Sequence, residues 1–178
     1  LLDHGRVLMD GPSSEVCNRF FALSDEKIHQ QAGMGSGRVQ IAQYTGEVDL
    51  LDVSVQDDEG TPSDELDMHR RLRLRLHFRA NMDLVAPEII VGLHTVDFVY
   101  LAFTSTAILP EAPSYAAGEH YIDCVLDDLP LKPGVYGVRV AFRDKHRRVM
   151  WQGDNVAGFK VSPGAINISR LPGIGLVD

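Results

Sequence analysis

Hydrophobic and polar residues alternate with a period of two along most of the chain, from Arg38 to Ser162. In the clearest segment, Leu72–Ala80, leucine or phenylalanine alternates with arginine or histidine, which predicts a strand with one buried and one solvated face. Further strands are predicted over 48–56, 89–96, 98–106, 121–126, 135–143, 149–152 and 156–161. Because turns separate these short strands and no helical pattern lies between them, they indicate an antiparallel β-sandwich.

A tyrosine at the start of one predicted strand refines this fold. The segment 131–136 reads Leu-Lys-Pro-Gly-Val-Tyr, which puts Tyr136 directly after a Pro-Gly turn. Immunoglobulin-like sandwiches use such a tyrosine as a corner, and its hydroxyl bonds to the backbone a few residues upstream. We therefore predict an immunoglobulin-like β-sandwich in which Tyr136 has a structural role.

Two further local predictions concern the faces and ends of strands. Leu51, Val53 and Val55 alternate with polar residues, so they are expected to face the core together. The pair Gly153-Asp154 predicts a turn that separates the strand over 149–152 from the strand over 156–161.

The first 37 residues are organised differently. Residues 1–12 predict a β-hairpin that leads into a short helix, which ends near Leu23. The stretch that follows loses periodicity and ends in Gly-Met-Gly-Ser-Gly, which is typical of a linker. Because the chain starts at Leu1, we expect it to be a fragment of a longer protein. The predicted division is an N-terminal piece over 1–23, a linker over 24–37, a sandwich over 38–163 and an apolar tail over 164–178.

Charge and motif content exclude several functions. The formal net charge of −8 argues against nucleic acid or an anionic membrane surface as the main partner. Cys17 and Cys124 lie far apart and form no C-x-x-C motif, so neither a disulfide framework nor a zinc site is indicated, and a reducing, cytosolic setting fits best. No nucleotide-binding loop, metalloprotease motif or nucleophile elbow occurs, and the seven histidines lack ligand spacing. We expect no enzyme activity, no metal and no cofactor in this chain.

The arginines that alternate along two strands are candidates for ligand binding. Arg73 and Arg75 lie on one face of one strand, and Arg139 and Arg143 on one face of another. They either form solvated faces that pair with carboxylates across strands, or a surface for an anionic or hydroxyl-rich ligand.

Aromatic side chains are the second ingredient of sugar recognition, because a ring stacks on the C–H face of a sugar. Tyr100, Phe103, Tyr115 and Trp151 are candidates, and for Trp151 a place in the core is as consistent with the sequence as a place in a site. The residues that we predict to bind ligand are Arg73, Arg75, His94, Tyr100, Arg139, Arg143 and Trp151.

Two sets of segments resemble a known family. Residues 2–7 (LDHGRV) and 10–16 (DGPSSEV) look like the end of an ABC-transporter nucleotide-binding domain. The sandwich is similar to the C-terminal domain of the ATPase subunit of O-antigen polysaccharide ABC exporters (Wzt-type). The segments that carry this second resemblance are 48–53 (VDLLDV) with 58–60 (DEG), 72–80 (LRLRLHFRA), 90–93 (IVGL) and 129–136 (LPLKPGVY).

This resemblance implies a function and partners. It implies a non-catalytic domain that binds the capped, non-reducing end of the O-polysaccharide and so licenses its export. It also implies an upstream nucleotide-binding domain, a membrane permease subunit and a cytoplasmic location at the inner face of the inner membrane.

The resemblance further implies a homodimer whose two subunits exchange a C-terminal strand. The tail between Ala165 and Val177 is apolar enough to need a partner surface, which agrees with such an exchange. The alternative is a structural or regulatory dimerisation domain of the ATPase that binds no glycan.

Overall fold

A computed structural model of the chain describes residues 1–3, 5–13, 16, 19, 20, 23, 40–128 and 130–165. As predicted, residues 40–162 form a β-sandwich of antiparallel sheets, and a short N-terminal hairpin precedes it. The strands are β1 (Leu2–Asp3), β2 (Arg6–Val7), β3 (Gln40–Tyr44), β4 (Val48–Gln56), β5 (Glu65–Asp67), β6 (Leu72–Ala80), β7 (Glu88–Thr95), β8 (Tyr100–Ser105), β9 (Gly118–Leu126), β10 (Gly134–Arg143) and β11 (Val149–Ser162).

Two sheets of unequal size form the sandwich. The large sheet has the strand order β3-β11-β10-β7-β8, and the short strand β5 adds to β11 beside β3. The small sheet has the order β4-β6-β9. All neighbours pair antiparallel except β5 and β11, whose pairing is parallel. The outer edges of β8 and β9 remain unpaired within residues 40–128 and 130–165.

The hydrophobic core lies between the sheets and follows the predicted alternation. In β6, Leu72, Leu74, Leu76 and Phe78 have no exposed side-chain surface, and the residues between them face solvent. Val138, Val140 and Phe142 cover them from β10 on the facing sheet. Full burial of a side chain of this size stabilises the fold by about 1.5–3 kcal/mol, so this layer fixes which face of each strand points outward.

A β-bulge changes the predicted orientation of Leu51. Leu50 pairs with Phe78 and Asp52 pairs with His77, so Leu51 is an extra residue in β4. Its side chain is 41% exposed, whereas Val53 and Val55 are buried as predicted. The expectation that Leu51 faces the core was therefore wrong, because one inserted residue shifts the period of two.

At Gly153-Asp154, where a turn is predicted, the structure has a second β-bulge. Strand β11 continues from Val149 to Ser162 through this pair, and its register against β10 shifts between Ala157 and Gly153. The two short strands predicted here are therefore one long strand, and the glycine marks its irregular point.

Tyr136 forms the predicted corner. Its hydroxyl donates a hydrogen bond of 2.7 Å to the carbonyl oxygen of Lys132, four residues upstream. Burial raises the pKa of the Tyr136 hydroxyl to about 12, so this group remains a neutral donor over the physiological range.

The N-terminal piece forms the predicted hairpin of β1 and β2, with Gly5 at a φ of 78° in its turn. Ser13, Val16, Arg19, Phe20 and Leu23 are helical, in agreement with the predicted helix. The linker predicted over 24–37 lies outside the described residues, as does the tail beyond Ala165.

Candidate ligand-binding groove

The outer face of the large sheet carries rows of side chains that cross β8, β7 and β10. Pairing between strands sets these rows, because directly opposed residues point to the same face. The rows are Tyr100 with His94 and Gly137; Phe103 with Gly92 and Arg139; Ser105 with Ile90 and Ala141; and Glu88 with Arg143. Gln152 of β11 extends the third row, since it pairs with Ala141.

Small residues open a groove in the middle of this face. Gly92 and Ala141 form its floor between larger side chains on every side, and the groove has a volume of about 390 Å³. That volume is within the range of small-ligand sites. The residues that line the groove are Glu88, Ile90, Gly92, Tyr100, Phe103, Ser105, Arg139, Ala141, Arg143, Arg147 and Gln152.

One end of the groove, the Tyr100 end, is a closed polar network. Arg139 donates a hydrogen bond of 2.6 Å from Nη1 to the Tyr100 hydroxyl, which donates one of 3.2 Å to Asp154 Oδ1. The Arg139 Nε atom lies 3.3 Å from the same carboxylate oxygen. The guanidinium also lies over the Tyr100 ring, 5.1 Å from its centroid, so this arginine is firmly held in place.

His94 supports the Tyr100 end from below. Its ring is fully buried, stacks on Phe98 at 5.0 Å and meets the Tyr100 ring edge to face at 5.8 Å. Its Nδ1 atom lies 2.8 Å from the Thr95 carbonyl oxygen. The absence of a side chain at Gly137 makes room for it, because a Cβ there would lie 2.7 Å from His94 Nε2. His94 thus positions Tyr100 and does not itself reach the groove.

At the opposite end, the Arg143 end, the arginine side chains have fewer hydrogen-bond acceptors. Arg143 Nη1 lies 3.7 Å from Glu88 Oε2, which is beyond hydrogen-bond distance. Arg147 projects from the turn between β10 and β11, and Gln152 lies at the margin of the groove. Arg139 and Arg143 are four residues apart on one strand, so their Cα atoms are separated by about 13 Å along the groove.

The predicted residues Arg73 and Arg75 lie on the opposite side of the molecule. We call this outer face of the small sheet the paired face; its residues are Arg73, Arg75, His77 and Arg79 of β6 and Glu119, Tyr121 and Asp123 of β9. Arg75 donates two hydrogen bonds to Asp123, of 2.8 and 2.9 Å. Arg79 donates one of 2.6 Å to Glu119. These hydrogen bonds lower the pKa values of both carboxyl groups, so each of these two carboxylates is committed to an arginine. Arg73 makes only a 3.9 Å contact with Asp123.

Trp151 belongs to the core and not to the groove. It is 3% exposed and packs edge to face against Phe142 with a centroid distance of 6.3 Å. Its neighbour Gln152 faces outward, as the alternation of a strand requires. Of the residues predicted to bind ligand, the groove brings together Tyr100, Arg139 and Arg143, with His94 beneath them.

Several groove residues were missing from the predicted set. Phe103 is 83% exposed on the edge strand β8, beside the groove floor, and had been considered only as one aromatic among several. Its place on an edge strand beside Gly92 distinguishes it from core aromatics, but only the strand pairing reveals that neighbour. The other unpredicted members are the polar residues Glu88, Ser105, Arg147 and Gln152 and the apolar or small residues Ile90, Gly92 and Ala141.

The described residues contain no group of three or more His, Cys, Asp or Glu side chains placed to hold a metal ion. Among the same residues, no helix is long and apolar enough to cross a membrane.

The fold defines a class of protein, a β-sandwich domain, and this one has a groove on the outer face of its large sheet. Residues 39–178 match the family model of the Wzt C-terminal domain, and the chain belongs to that family. This is the carbohydrate-binding domain of the ATPase subunit of an ABC exporter.

One solved structure of the same family agrees on the fold. A crystal structure of the C-terminal domain of wzt aligns with a TM-score of 0.65 at 13% sequence identity, covering 76% of this chain and 84% of that chain. A Niemann-Pick type C2 protein from Japanese carpenter ant aligns with a TM-score of 0.49 at 9% identity, covering 70% of this chain and 98% of that one. No curated protein matches the chain.

Proposed function

We propose that the groove binds the capped, non-reducing end of an O-antigen polysaccharide and so selects the finished polymer for export. Membership of the Wzt C-terminal domain family supports a carbohydrate ligand. The observation that carries the proposal is the row of Phe103, Gly92 and Arg139, in which an exposed ring and a fixed guanidinium stand on either side of a residue without a side chain.

This row suits the chemistry of a sugar. A phenylalanine ring that is 83% exposed offers an apolar platform for the C–H face of a pyranose. The Arg139 guanidinium and the Ser105 and Gln152 side chains of the groove wall offer hydrogen bonds to hydroxyl groups. The floor at Gly92 allows the ligand to approach the backbone closely.

Isothermal titration calorimetry with capped and uncapped polysaccharide tests this function. Phe103→Ala should weaken binding of the capped polymer about tenfold, which corresponds to the loss of about 1.4 kcal/mol of apolar contact with the sugar. The matched control is Tyr121→Ala, which removes an aromatic ring that is 63% exposed on the paired face. Equal affinities for the two variants, or no binding by the parent chain at millimolar ligand, would contradict the proposal.

We further propose that the domain works as a homodimer with an exchanged C-terminal strand. Ile108, Leu109 and Val125 are exposed around an apolar opening of about 180 Å³ between the unpaired edges of β8 and β9. Surfaces of this kind are commonly covered by an added strand. The apolar residues of the tail, which lies outside the described part of the chain, are Ile166, Ile168, Leu171, Ile174 and Leu176.

Light scattering tests the dimer, and with calorimetry it separates the two functions. Deletion of residues 165–178 should shift the chain toward monomer, and an unaltered mass would refute the exchanged strand. A dimer that binds no glycan would instead favour the alternative, a structural or regulatory domain of the ATPase. In either case we place the chain after a nucleotide-binding domain, beside a permease, at the cytoplasmic face of the inner membrane.

A further inference from the structure

The arginines at the two ends of the groove differ in how many of their N–H donors have a protein acceptor. At the Tyr100 end, Arg139 has a hydroxyl acceptor at 2.6 Å and a carboxylate oxygen at 3.3 Å. At the other end, the Arg143 guanidinium donates no hydrogen bond to any described residue, and its Nε is buried without a partner. The two ends therefore differ in the number of protein acceptors that their arginines have, and the Arg143 guanidinium keeps donors that no described side chain uses.

The nearest carboxylate only partly serves Arg143. Glu88 accepts a hydrogen bond of 3.3 Å from the Ser105 hydroxyl, which holds its Oε1 atom on the β8 side. Its Oε2 atom remains 3.7 Å from Arg143 Nη1, a Coulombic contact without a hydrogen bond. Glu88 therefore leaves donor capacity on Arg143 unused.

A second arginine at this end has no carboxylate of its own. The turn between β10 and β11 has one acidic residue, Asp144, and its side chain accepts hydrogen bonds of 2.8 Å from the His146 N–H and 3.0 Å from the Arg148 side chain. Arg147 adopts a φ of 65° in this turn, lines the groove and forms no ion pair with the described residues. The Arg143 end thus combines two positive charges with one negative charge, on a chain whose net charge is −8.

We propose that the Arg143 end is a subsite for an acidic substituent of the glycan, with Arg143 and Arg147 as the binding residues and Gln152 as a neutral donor beside them. The inference rests on the proposed glycan function and adds the substrate class, a carbohydrate that carries a carboxylate or a phosphate. Guanidinium groups bind both anions through paired, charge-assisted hydrogen bonds. The Tyr100 end, whose arginine is already held by protein acceptors, serves the neutral part of the same ligand.

The test compares neutral and acidic sugars on the full chain. Methyl glucoside, glucuronate and glucose 6-phosphate are titrated separately and followed by NMR shifts of the groove amides. We expect both acidic sugars, or one of them, to bind about tenfold more tightly than the neutral sugar, and this preference to shrink as salt is raised. The arm that shows the larger preference identifies the carboxylate or the phosphate as the preferred group.

Substitutions assign the preference to this end of the groove. Arg143→Gln and Arg147→Gln should each remove most of the acidic preference, measured as the ratio of the affinity for the acidic sugar to the affinity for methyl glucoside. Arg75→Gln, on the paired face, is the matched control and should leave this ratio unchanged. Glu88→Gln should strengthen acidic binding, because it removes the one carboxylate that faces the incoming anion.

The outcomes separate this inference from the proposed function. Equal binding of neutral and acidic sugars that still depends on Phe103 would overturn the acidic subsite and leave glycan binding standing. An acidic preference that survives Arg143→Gln together with Arg147→Gln would also overturn it. No binding of any sugar, with the NMR spectrum of a folded chain, would overturn both.

Discussion

Two faces of the sandwich carry arginines, and they differ in what the arginines meet. On the paired face, Arg75 stands directly opposite Asp123 and binds it through two hydrogen bonds. On the groove face, Arg139 stands opposite Gly92, which has no side chain to meet it. The residue across the strand therefore decides where space remains beside an arginine. Asp123 fills the position opposite Arg75, whereas Gly92 leaves the position opposite Arg139 empty, and Tyr100 and Asp154 hold Arg139 from one side.

Filling the floor of the groove should have the largest effect. A Cβ atom at Gly92 would lie 3.6 Å from the Ala102 carbonyl oxygen, so a side chain is compatible with the backbone. Gly92→Leu should abolish glycan binding at millimolar ligand, because the added side chain occupies the groove. Gly92→Ala is the control and should retain most of the affinity. Calorimetry measures the affinity of both variants. Full affinity in Gly92→Leu would show that the glycan does not bind in the groove.

Arginine substitutions on the two faces test the comparison itself. Arg139→Ala should weaken glycan binding about tenfold, because it removes a hydrogen-bond donor and frees Tyr100 from its network. Arg75→Ala should leave affinity within about twofold, since its guanidinium is committed to Asp123. Equal losses in the two variants would mean that the empty position opposite Arg139 makes no difference to glycan binding.

Tyr136, the corner tyrosine, stabilises the sandwich and lies on neither the groove face nor the paired face. Tyr136→Phe should lower the free energy of unfolding by about 1 kcal/mol, the worth of a buried hydrogen bond, and leave glycan affinity unchanged. The folded protein holds the Tyr136 proton more tightly than the unfolded chain does. The stability that this group contributes is therefore complete below pH 10 and is lost as the pH rises toward its folded pKa of about 12.

Denaturant titrations of the parent chain and Tyr136→Phe between pH 9 and pH 12 check this prediction. The difference between the two should narrow with rising pH. A constant difference would show that ionisation of Tyr136 does not contribute.

The smallest effect is expected on the paired face. Arg75 lowers the pKa of Asp123 below its ordinary value of 3.8 through hydrogen bonds, so the stability from this pair is present above that pH and lost below it. Asp123→Asn should lower the free energy of unfolding by less than about 1 kcal/mol at pH 7, because both side chains are partly solvated. Urea titrations should show a smaller difference between parent and variant at pH 3 than at pH 7. A larger difference at pH 3 would contradict a lowered pKa of Asp123.

The alternation of residues predicted most of the sandwich but could not distinguish the two faces. Leu72–Ala80 is a strand with the predicted buried face, and Tyr136 makes its predicted corner bond. A period of two predicts which residues of a strand share a face. It does not predict which residue of the neighbouring strand lies opposite each of them. Arg75 and Arg139 therefore look alike in sequence, although the residue paired directly across the strand is an aspartate for the first and a glycine for the second.

Inserted residues account for local errors in the same way. The bulge at Leu51 and the irregularity at Gly153 interrupt the alternation, so Leu51 faces outward and the predicted turn in β11 does not form. Trp151 lies just before that irregularity, with its ring in the core and the next side chain in the groove wall. Such insertions depend on the pairing of strands distant in sequence, which a local pattern does not record.

An NMR titration with the capped polysaccharide tests the central claim most directly. Amide signals of Gly92, Phe103, Arg139 and Ala141 should shift with added ligand, whereas those of Arg75, Tyr121 and Asp123 should stay in place. Shifts that cluster on the paired face, or no shifts at millimolar polysaccharide, would contradict the claim that the open face of the large sheet binds the glycan.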